Sequence, residues 1–216
     1  MKTRDRLRVS EIFASIQGES TTVGVPTVFV RLTGCPLRCH WCDTTYAFSG
    51  GDRLSIDEIL ERVGALGLSE VCVTGGEPLA QPACHELLTA LLDAGHRVSL
   101  ETSGAISIVG LDPRVRCVMD LKAPGSGEAD KNLWDNLQHL RAHDEVKFVL
   151  ADRTDYEWAK DVLERHGLAR RATVLFSPVA GSLPPALLAE WILADRLPVR
   201  FQLQLHKILW GDTRGK

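Results

Sequence analysis

Six short β-branched or apolar runs separated by helical stretches constrain this chain most. They lie at Thr27 to Leu32, Val71 to Thr74, Val98 to Glu101, Cys117 to Leu121, Val146 to Leu150 and Thr173 to Phe176. Helix signals fall between them. Ser55-Ile-Asp-Glu58 reads as a capping box, Leu87 to Leu92 as a helix stopped by Gly95, and Asn132 to Arg141 as a further helix. Thr154-Asp-Tyr-Glu157 reads as a second capping box for a helix ending at Gly167, and Pro184 to Ala194 as the last helix. Strands alternating with helices imply crossover connections and a parallel sheet. Six core strands are too few for an eight-stranded barrel, and 216 residues fall short of the roughly 250 such barrels use. The expected fold is α/β, a partial (β/α)6 barrel, with a flat doubly wound sheet as the alternative.

Two peripheral pieces complete the expectation. An alternating leader strand lies near residues 8–20, and an alternating strand at Phe201 to His206 precedes a tail, so that about 200–216 closes the sheet. With 44% apolar residues the chain can bury one sizeable core, and one domain spanning 1–216 is expected.

The loop after the first core strand carries the chemistry. Gly-Cys-Pro-Leu-Arg-Cys-His-Trp-Cys-Asp-Thr places Cys35, Cys39 and Cys42 in a C-x3-C-x2-C spacing, half of the six cysteines within eight residues. Soft sulfur donors this close suit an iron-sulfur cluster or zinc. Three thiolates on a four-iron cluster leave one iron open to a small molecule. A structural zinc completed by His40 or a distant histidine is the plainer alternative.

Composition narrows the partners. A formal charge of -3 and a pI near 6.2 argue against nucleic acid or an anionic membrane and for a small-molecule substrate. No apolar run is long enough to span a membrane, and the charged start Met-Lys-Thr-Arg-Asp lacks a following apolar segment, so a cytoplasmic protein is expected. Cys72, Cys84 and Cys117 are then small buried apolar residues with free thiols.

Polar groups concentrate at the expected strand ends, where α/β proteins place their active sites. These are Thr74-Gly-Gly-Glu77, Glu101-Thr-Ser-Gly104, Asp120-Leu121-Lys122, Ser177-Pro178 and Gln204-Leu-His206. Glu77 either caps its turn or meets a ligand. Glu101 and Asp120 can accept hydrogen bonds from hydroxyls or an amine; Asp120 and Lys122 can equally form an internal ion pair. Thr44 offers a hydroxyl to a magnesium ion, or merely ends a turn. Arg31, near the end of a buried strand, needs an anionic partner.

Cys35, Cys39, Trp41 and Cys42 resemble the C-x3-C-x-aromatic-C signature of radical S-adenosylmethionine (SAM) enzymes. With Gln17-Gly-Glu19, Arg31-Leu-Thr-Gly-Cys35, Cys42-Asp-Thr44, Thr74-Gly-Gly-Glu-Pro78, Glu101-Thr-Ser-Gly104, Asp120-Leu-Lys122 and Gln204-Leu-His-Lys207, nearly the whole chain resembles the 7-carboxy-7-deazaguanine synthase family. That resemblance implies a radical SAM carbon-nitrogen lyase that uses a 4Fe-4S cluster, SAM and Mg2+. It converts 6-carboxy-5,6,7,8-tetrahydropterin to 7-carboxy-7-deazaguanine and ammonia, on the route to queuosine. It also implies a homodimer and an electron donor such as flavodoxin. Carried over, Cys35, Cys39 and Cys42 hold the cluster, and Trp41, Cys42, Asp43, Gly76, Glu101, Asp120, Leu121, Lys122, Ser177 and Pro178 line the SAM pocket. Thr44 holds magnesium. Ile16, Gln17, Gly18, Glu19, Arg31, Thr74 and His206 hold the pterin. A glycyl-radical-enzyme activase is the alternative enzyme, and a zinc-binding interaction module the alternative of another class.

Overall fold

The computed structural model describes residues 6–216; the charged start at Met1 to Asp5 lies outside the described residues. All six core strands form: β2 (Pro26–Leu32), β4 (Glu70–Gly75), β5 (Arg97–Thr102), β6 (Arg116–Asp120), β7 (Glu145–Leu150) and β8 (Thr173–Pro178). They pair in parallel, in that order. The leader is β1 (Arg6–Ile16), antiparallel to β2, and β3 (Asp52–Ser55) pairs antiparallel with β1 on its far side. A two-residue β9 (Arg200–Phe201) ends the sheet beside β8, so the order is β3-β1-β2-β4-β5-β6-β7-β8-β9. The two edges do not meet, and the barrel is open.

The sheet is curled. Thr21 N donates to Glu145 Oε2 at 3.0 Å, although β1 and β7 stand five positions apart in the sheet order. Five spacings in a flat sheet amount to roughly 24 Å, while the five residues from Gln17 to Thr21, fully extended, reach about 17 Å. The flat alternative therefore fails.

Four helices cover the convex face: α1 (Ile56–Ala65), α2 (Cys84–Asp93), α3 (Arg153–His166) and α4 (Pro185–Asp195). Three of them start or stop for a local reason. Ser55 and Glu58 form the expected reciprocal capping box on α1. Gly95 sits at φ 91° just past α2, and Gly167 at φ 57° ends α3, both in the left-handed region that glycine tolerates. One apolar cluster fills the space between helices and sheet, with Val28, Val30 and Leu32 from β2, Ile59 and Val63 from α1, Leu87, Leu88 and Leu91 from α2, and Tyr156 and Val162 from α3. Cys72, Cys84 and Cys117 are buried with free thiols, as expected of small apolar residues.

Three sequence expectations need correction. First, α3 begins earlier than the Thr154 box, because the carboxylate of Asp152 caps it by accepting from Asp155 N at 3.0 Å. Second, Asn132 to Arg141 forms no α-helix; it makes 3-10 turns at Ala129–Lys131 and Trp134–His139. The buried Asn132 and Asn136 amides clamp backbone elsewhere instead. Asn132 bonds both the N–H and the carbonyl of Lys122 at 2.9 Å, and Asn136 accepts from Ile108 N at 3.0 Å. Third, the strand expected at Phe201 to His206 stops after Phe201, and Leu205–Trp210 forms a short helix, α5. Gln202 turns in to accept from Ser20 N at 3.0 Å, and Leu205 N donates to Gly18 O at 3.0 Å, which pulls the chain off the sheet edge.

A candidate active site inside the open barrel

The concave face of the sheet encloses a cavity of about 310 Å3. Period-two alternation along the strands decides its lining. While Val28, Val30, Val73, Leu100, Met119 and Val146 face the helices, their neighbours Phe29, Arg31, Thr74, Glu101, Asp120 and Lys147 line the cavity. Its carboxyl-end rim is the cysteine loop, Gly75-Gly76, Thr102-Ser103, Lys122 and Val179-Ala180.

The amino end is closed differently from what the sequence suggests. Because β1 runs antiparallel to β2 and Ile16 pairs with Pro26, the chain after Ile16 emerges below the parallel strands. Gln17 to Glu19 therefore enter the cavity from the end opposite the cysteines, and Gln204 and His206 reach it from the α5 segment packed on Gly18. Close approach explains that glycine: a Cβ on Gly18 would stand 2.2 Å from His206 Nδ1.

Cys35, Cys39 and Cys42 are each half-buried on one wall of the cavity. Burial raises the pKa of the Cys35 and Cys39 thiols, and the nearby Cys42 adds to it, while Lys122 works the other way. Arg38 staples their loop from outside, donating to the carbonyls of Cys35 at 2.8 Å and Leu37 at 2.6 Å with its guanidinium 4.2 Å over the Phe48 ring. Gly76 backs the loop so closely that a Cβ there would meet Gly34 O at 2.3 Å and Cys35 Cβ at 2.7 Å. His40 faces away from this wall, its Nδ1 3.0 Å from Gly125 O. Among the described residues no three His, Cys, Asp or Glu side chains are grouped to hold a single metal ion.

The interior is a network of charges. Arg31 finds its anion in Glu11, 2.7 Å away, which also accepts from Tyr46 Oη at 2.8 Å and Arg214 Nε at 3.1 Å. Glu101 accepts from Thr74 Oγ1 at 2.8 Å and Gln17 Nε2 at 3.3 Å. Asp120 Oδ2 lies 3.1 Å from Lys122 Nζ and 3.5 Å from Lys147 Nζ, and Lys147 reaches Glu19 Oε2 at 2.6 Å. Burial alone would raise the Glu19 pKa and lower those of both lysines. The opposite charges outweigh it, so Glu19 is held below the ordinary carboxylate range and Lys147 well above the ordinary lysine range. Two buried oxygens in this region, Asp120 Oδ1 and Ser177 Oγ, have no hydrogen-bond partner. At the mouth, Thr44 Oγ1 donates to Asp43 Oδ1 at 2.8 Å, and Lys207 Nζ lies 3.3 Å from Asp43 Oδ2.

Most residues singled out from sequence thus share one cavity: Ile16 to Glu19, Arg31, Cys35, Cys39, Trp41 to Thr44, Thr74, Gly76, Glu101, Asp120, Lys122 and His206. Leu121, Ser177 and Pro178 do not line it. Leu121 is fully buried in the apolar core, and Ser177 and Pro178 lie within buried β8, whose successors Val179 and Ala180 form the rim. Glu77 is also off the cavity, fully buried and accepting from Leu79 N, Ser103 N and Thr102 Oγ1 at 2.7–3.0 Å. It caps its turn and ties β4 to β5. Neither Lys147 nor Glu11 stands out in the sequence in the way the cysteines do; Lys147 is the one polar residue in the apolar run Val146 to Leu150, whereas Glu11 is one of several polar residues in the alternating β1.

Known proteins match this arrangement. The profile of the Radical SAM superfamily matches residues 29–109, which run from β2 through the cysteine loop to just past β5. A Chlorobaculum tepidum protein named 7-carboxy-7-deazaguanine synthase is 49% identical over 100% of both chains. A Koribacter versatilis protein of the same name is 42% identical over 97% of this chain and 100% of its own. The crystal structure of QueE from Escherichia coli superposes with a TM-score of 0.77 at 24% identity, covering 93% of this chain and 95% of that one, and so shares the fold. The chain belongs to the 7-carboxy-7-deazaguanine synthase family of the radical SAM superfamily.

Proposed function

We propose that the protein contracts the ring of 6-carboxy-5,6,7,8-tetrahydropterin to 7-carboxy-7-deazaguanine with loss of ammonia, as a cytoplasmic homodimer fed electrons by a flavodoxin-like donor. The observation that carries this is the shared cavity: three thiols on one wall and Gln17, Glu19, Arg31, Thr74 and Glu101 entering it from the other side. Substrate and product differ by one ammonia and by no net oxidation. A 4Fe-4S cluster with SAM supplies reversible hydrogen-atom abstraction, which suits a redox-neutral rearrangement.

The residues present fit these groups. Cys35, Cys39 and Cys42 are the cluster ligands, on a loop that Arg38 and the bare backbone of Gly76 hold in place. Asp120 Oδ1 is a buried acceptor without a partner, suited to SAM beside Trp41, Asp43, Gly76, Glu101 and Lys122, whereas Ser177 lies off the cavity behind the rim residues Val179 and Ala180 and can only back them. Leu121 and Pro178 can serve SAM only as backing for their neighbours. The Thr44 hydroxyl donates a hydrogen bond to Asp43, which leaves its oxygen lone pairs for Mg2+, a cation that takes oxygen ligands and helps orient substrate oxygens.

At the other end, Glu19 and Glu101 are acceptors for the N–H groups of a pterin. Arg31 supplies a cation for its carboxylate, and Gln17, Thr74 and His206 complete the wall with the backbone of Ile16 and Gly18. The segment 17–24 seals the amino end, and Gly211 to Lys216 also line the cavity, an enclosure for a small molecule rather than for the protein backbone an activase takes. Anaerobic incubation of the reconstituted, reduced protein with SAM, Mg2+ and the pterin tests the proposal. Appearance of the deazaguanine and ammonia supports it; SAM cleavage without pterin conversion refutes the substrate assignment.

A further inference from the structure

Glu19 is held in two separate ways, by its backbone and by its carboxylate. Segment 17–24 is fixed independently of that carboxylate: Thr21 N donates to Glu145 Oε2, Ser20 N to Gln202 Oε1 and Leu205 N to Gly18 O, each at 3.0 Å. The carboxylate is fixed by side chains. Lys147 Nζ lies 2.6 Å from Glu19 Oε2, and Gln204 Nε2 donates to Oε1 at 2.9 Å. Glu145 and Lys147 stand two apart on β7 and so on one face, which aims Lys147 at the segment that Glu145 carries. Glu19 depends on this lysine more than its other carboxylate neighbour does. Asp120, which Lys147 reaches at 3.5 Å, also has Lys122 at 3.1 Å. Among the described residues Glu19 makes no second ion pair. Its next charged neighbour is Asp43 of the cysteine loop, a like charge, which lies 3.3 Å from Lys207 of α5. The Glu19 and Lys147 side chains are each only 13% exposed, so their contact is weakly screened.

We propose that Lys147 is a positioning residue for the pterin that acts through Glu19, neutralising and orienting the carboxylate that accepts from the substrate's N–H groups. This rests on the function proposed above. The pyrimidine edge of a pterin offers N–H donors, and only an ionised carboxylate meets them with an acceptor on both oxygens. A protonated Glu19 would turn an O–H donor toward them instead. Burial alone pushes the Glu19 pKa up, and the Lys147 ammonium outweighs it. The other charges facing Lys147 are Asp120 and Glu101, both anionic, and His206 lines the same cavity from α5. Without Lys147, Glu19 is a buried carboxylate among amides and other anions. It then takes up a proton more readily, and the pterin loses its acceptor.

The test is anaerobic equilibrium titration of the cluster-loaded, oxidised protein with 6-carboxy-5,6,7,8-tetrahydropterin, SAM being saturating and turnover absent. Lys147→Met should weaken the pterin by about ten-fold or more at about pH 7, the scale of a lost hydrogen bond to a charged group, and should weaken SAM less. The ratio of variant to wild-type dissociation constants should fall as pH rises from about 6 to about 9, because Glu19 regains its charge. Titration of the ligand or of His206 is common to both proteins and cancels in that ratio. Lys147→Arg keeps the charge and should restore most of the affinity. In a Glu19→Gln background, which already lacks the carboxylate, Lys147→Met should cost no further pterin affinity. Should Lys147→Met not fold, Lys147→Gln removes the charge for the same comparisons. An unchanged pterin affinity in the lysine variant, a ratio that does not vary with pH, a loss that falls mainly on SAM, or an additive loss in the Glu19→Gln background overturns the proposal. A wild type that binds SAM but no pterin at any pH overturns the substrate assignment and this role with it, a result distinct from a wild type and a variant that bind the pterin equally.

Discussion

Glu11 and Arg31 are register partners on antiparallel β1 and β2, and the carboxylate that neutralises the cavity's arginine at 2.7 Å also anchors Arg214 of the C-terminal tail at 3.1 Å. One anion therefore fixes a wall of the cavity and the segment over its mouth. Glu11→Gln should destabilise the protein by about 2 kcal/mol, the scale of a hydrogen bond to a charged group that loses its partner. The midpoint of urea unfolding reads this directly. The same variant should show protease cleavage near Arg214 earlier than the wild type.

Gly76→Ala should impair cluster assembly. Its Cβ would stand 2.7 Å from Cys35 Cβ and 2.3 Å from Gly34 O, so the cysteine loop has to move. Overpacking of this kind costs about 1–3 kcal/mol, and here it falls on the loop proposed to hold the cluster. Iron per chain after anaerobic reconstitution is the measurement, and a wild-type iron content in this variant would contradict the close packing described.

Thr44→Ala should blunt the response to magnesium. Loss of the hydroxyl that stands beside Asp43 at 2.8 Å should raise the Mg2+ concentration for half-maximal turnover by about ten-fold or more, with cluster content unchanged. An unaltered magnesium titration would remove Thr44 from the site.

Acid should destabilise the fold through Glu11 and Glu19. Burial alone would raise both pKa values, but Arg31 and Lys147 respectively hold them below the ordinary 4.5. A carboxyl group whose pKa is depressed on folding contributes stability that is present above its unfolded value and lost as pH falls through the folded one. Unfolding free energy from these two groups should therefore stay flat from neutral pH to about pH 5 and fall below about pH 4.5. Glu19→Gln should make the acid limb shallower, as followed by urea unfolding across that range.

Much of this was legible because strands and cysteine spacing are local signals. The β-branched runs located all six parallel strands, and the C-x3-C-x2-C loop fell where β2 ends. What sequence hid was set by contacts between distant segments. The Asn132 and Asn136 amides replaced a helix with turns by bonding backbone of the Gly104–Ile108 and Lys122 loops. Gln202 drew the last strand away from the sheet toward Ser20. Gln17 to Glu19 enter from the amino end only because β1 is antiparallel, a fact of pairing that its alternating pattern does not carry. Lys147 looked like one polar residue in an apolar strand until curvature of the sheet brought it to Glu19.

The measurement that tests the central claim most directly is the amount of deazaguanine formed per SAM consumed, with the pterin in large excess over SAM, anaerobically, on the reduced protein with Mg2+. The account predicts many product molecules per SAM, each accompanied by one ammonia, because the rearrangement is redox-neutral and SAM is regenerated. No deazaguanine, or one SAM spent for every product, would contradict it.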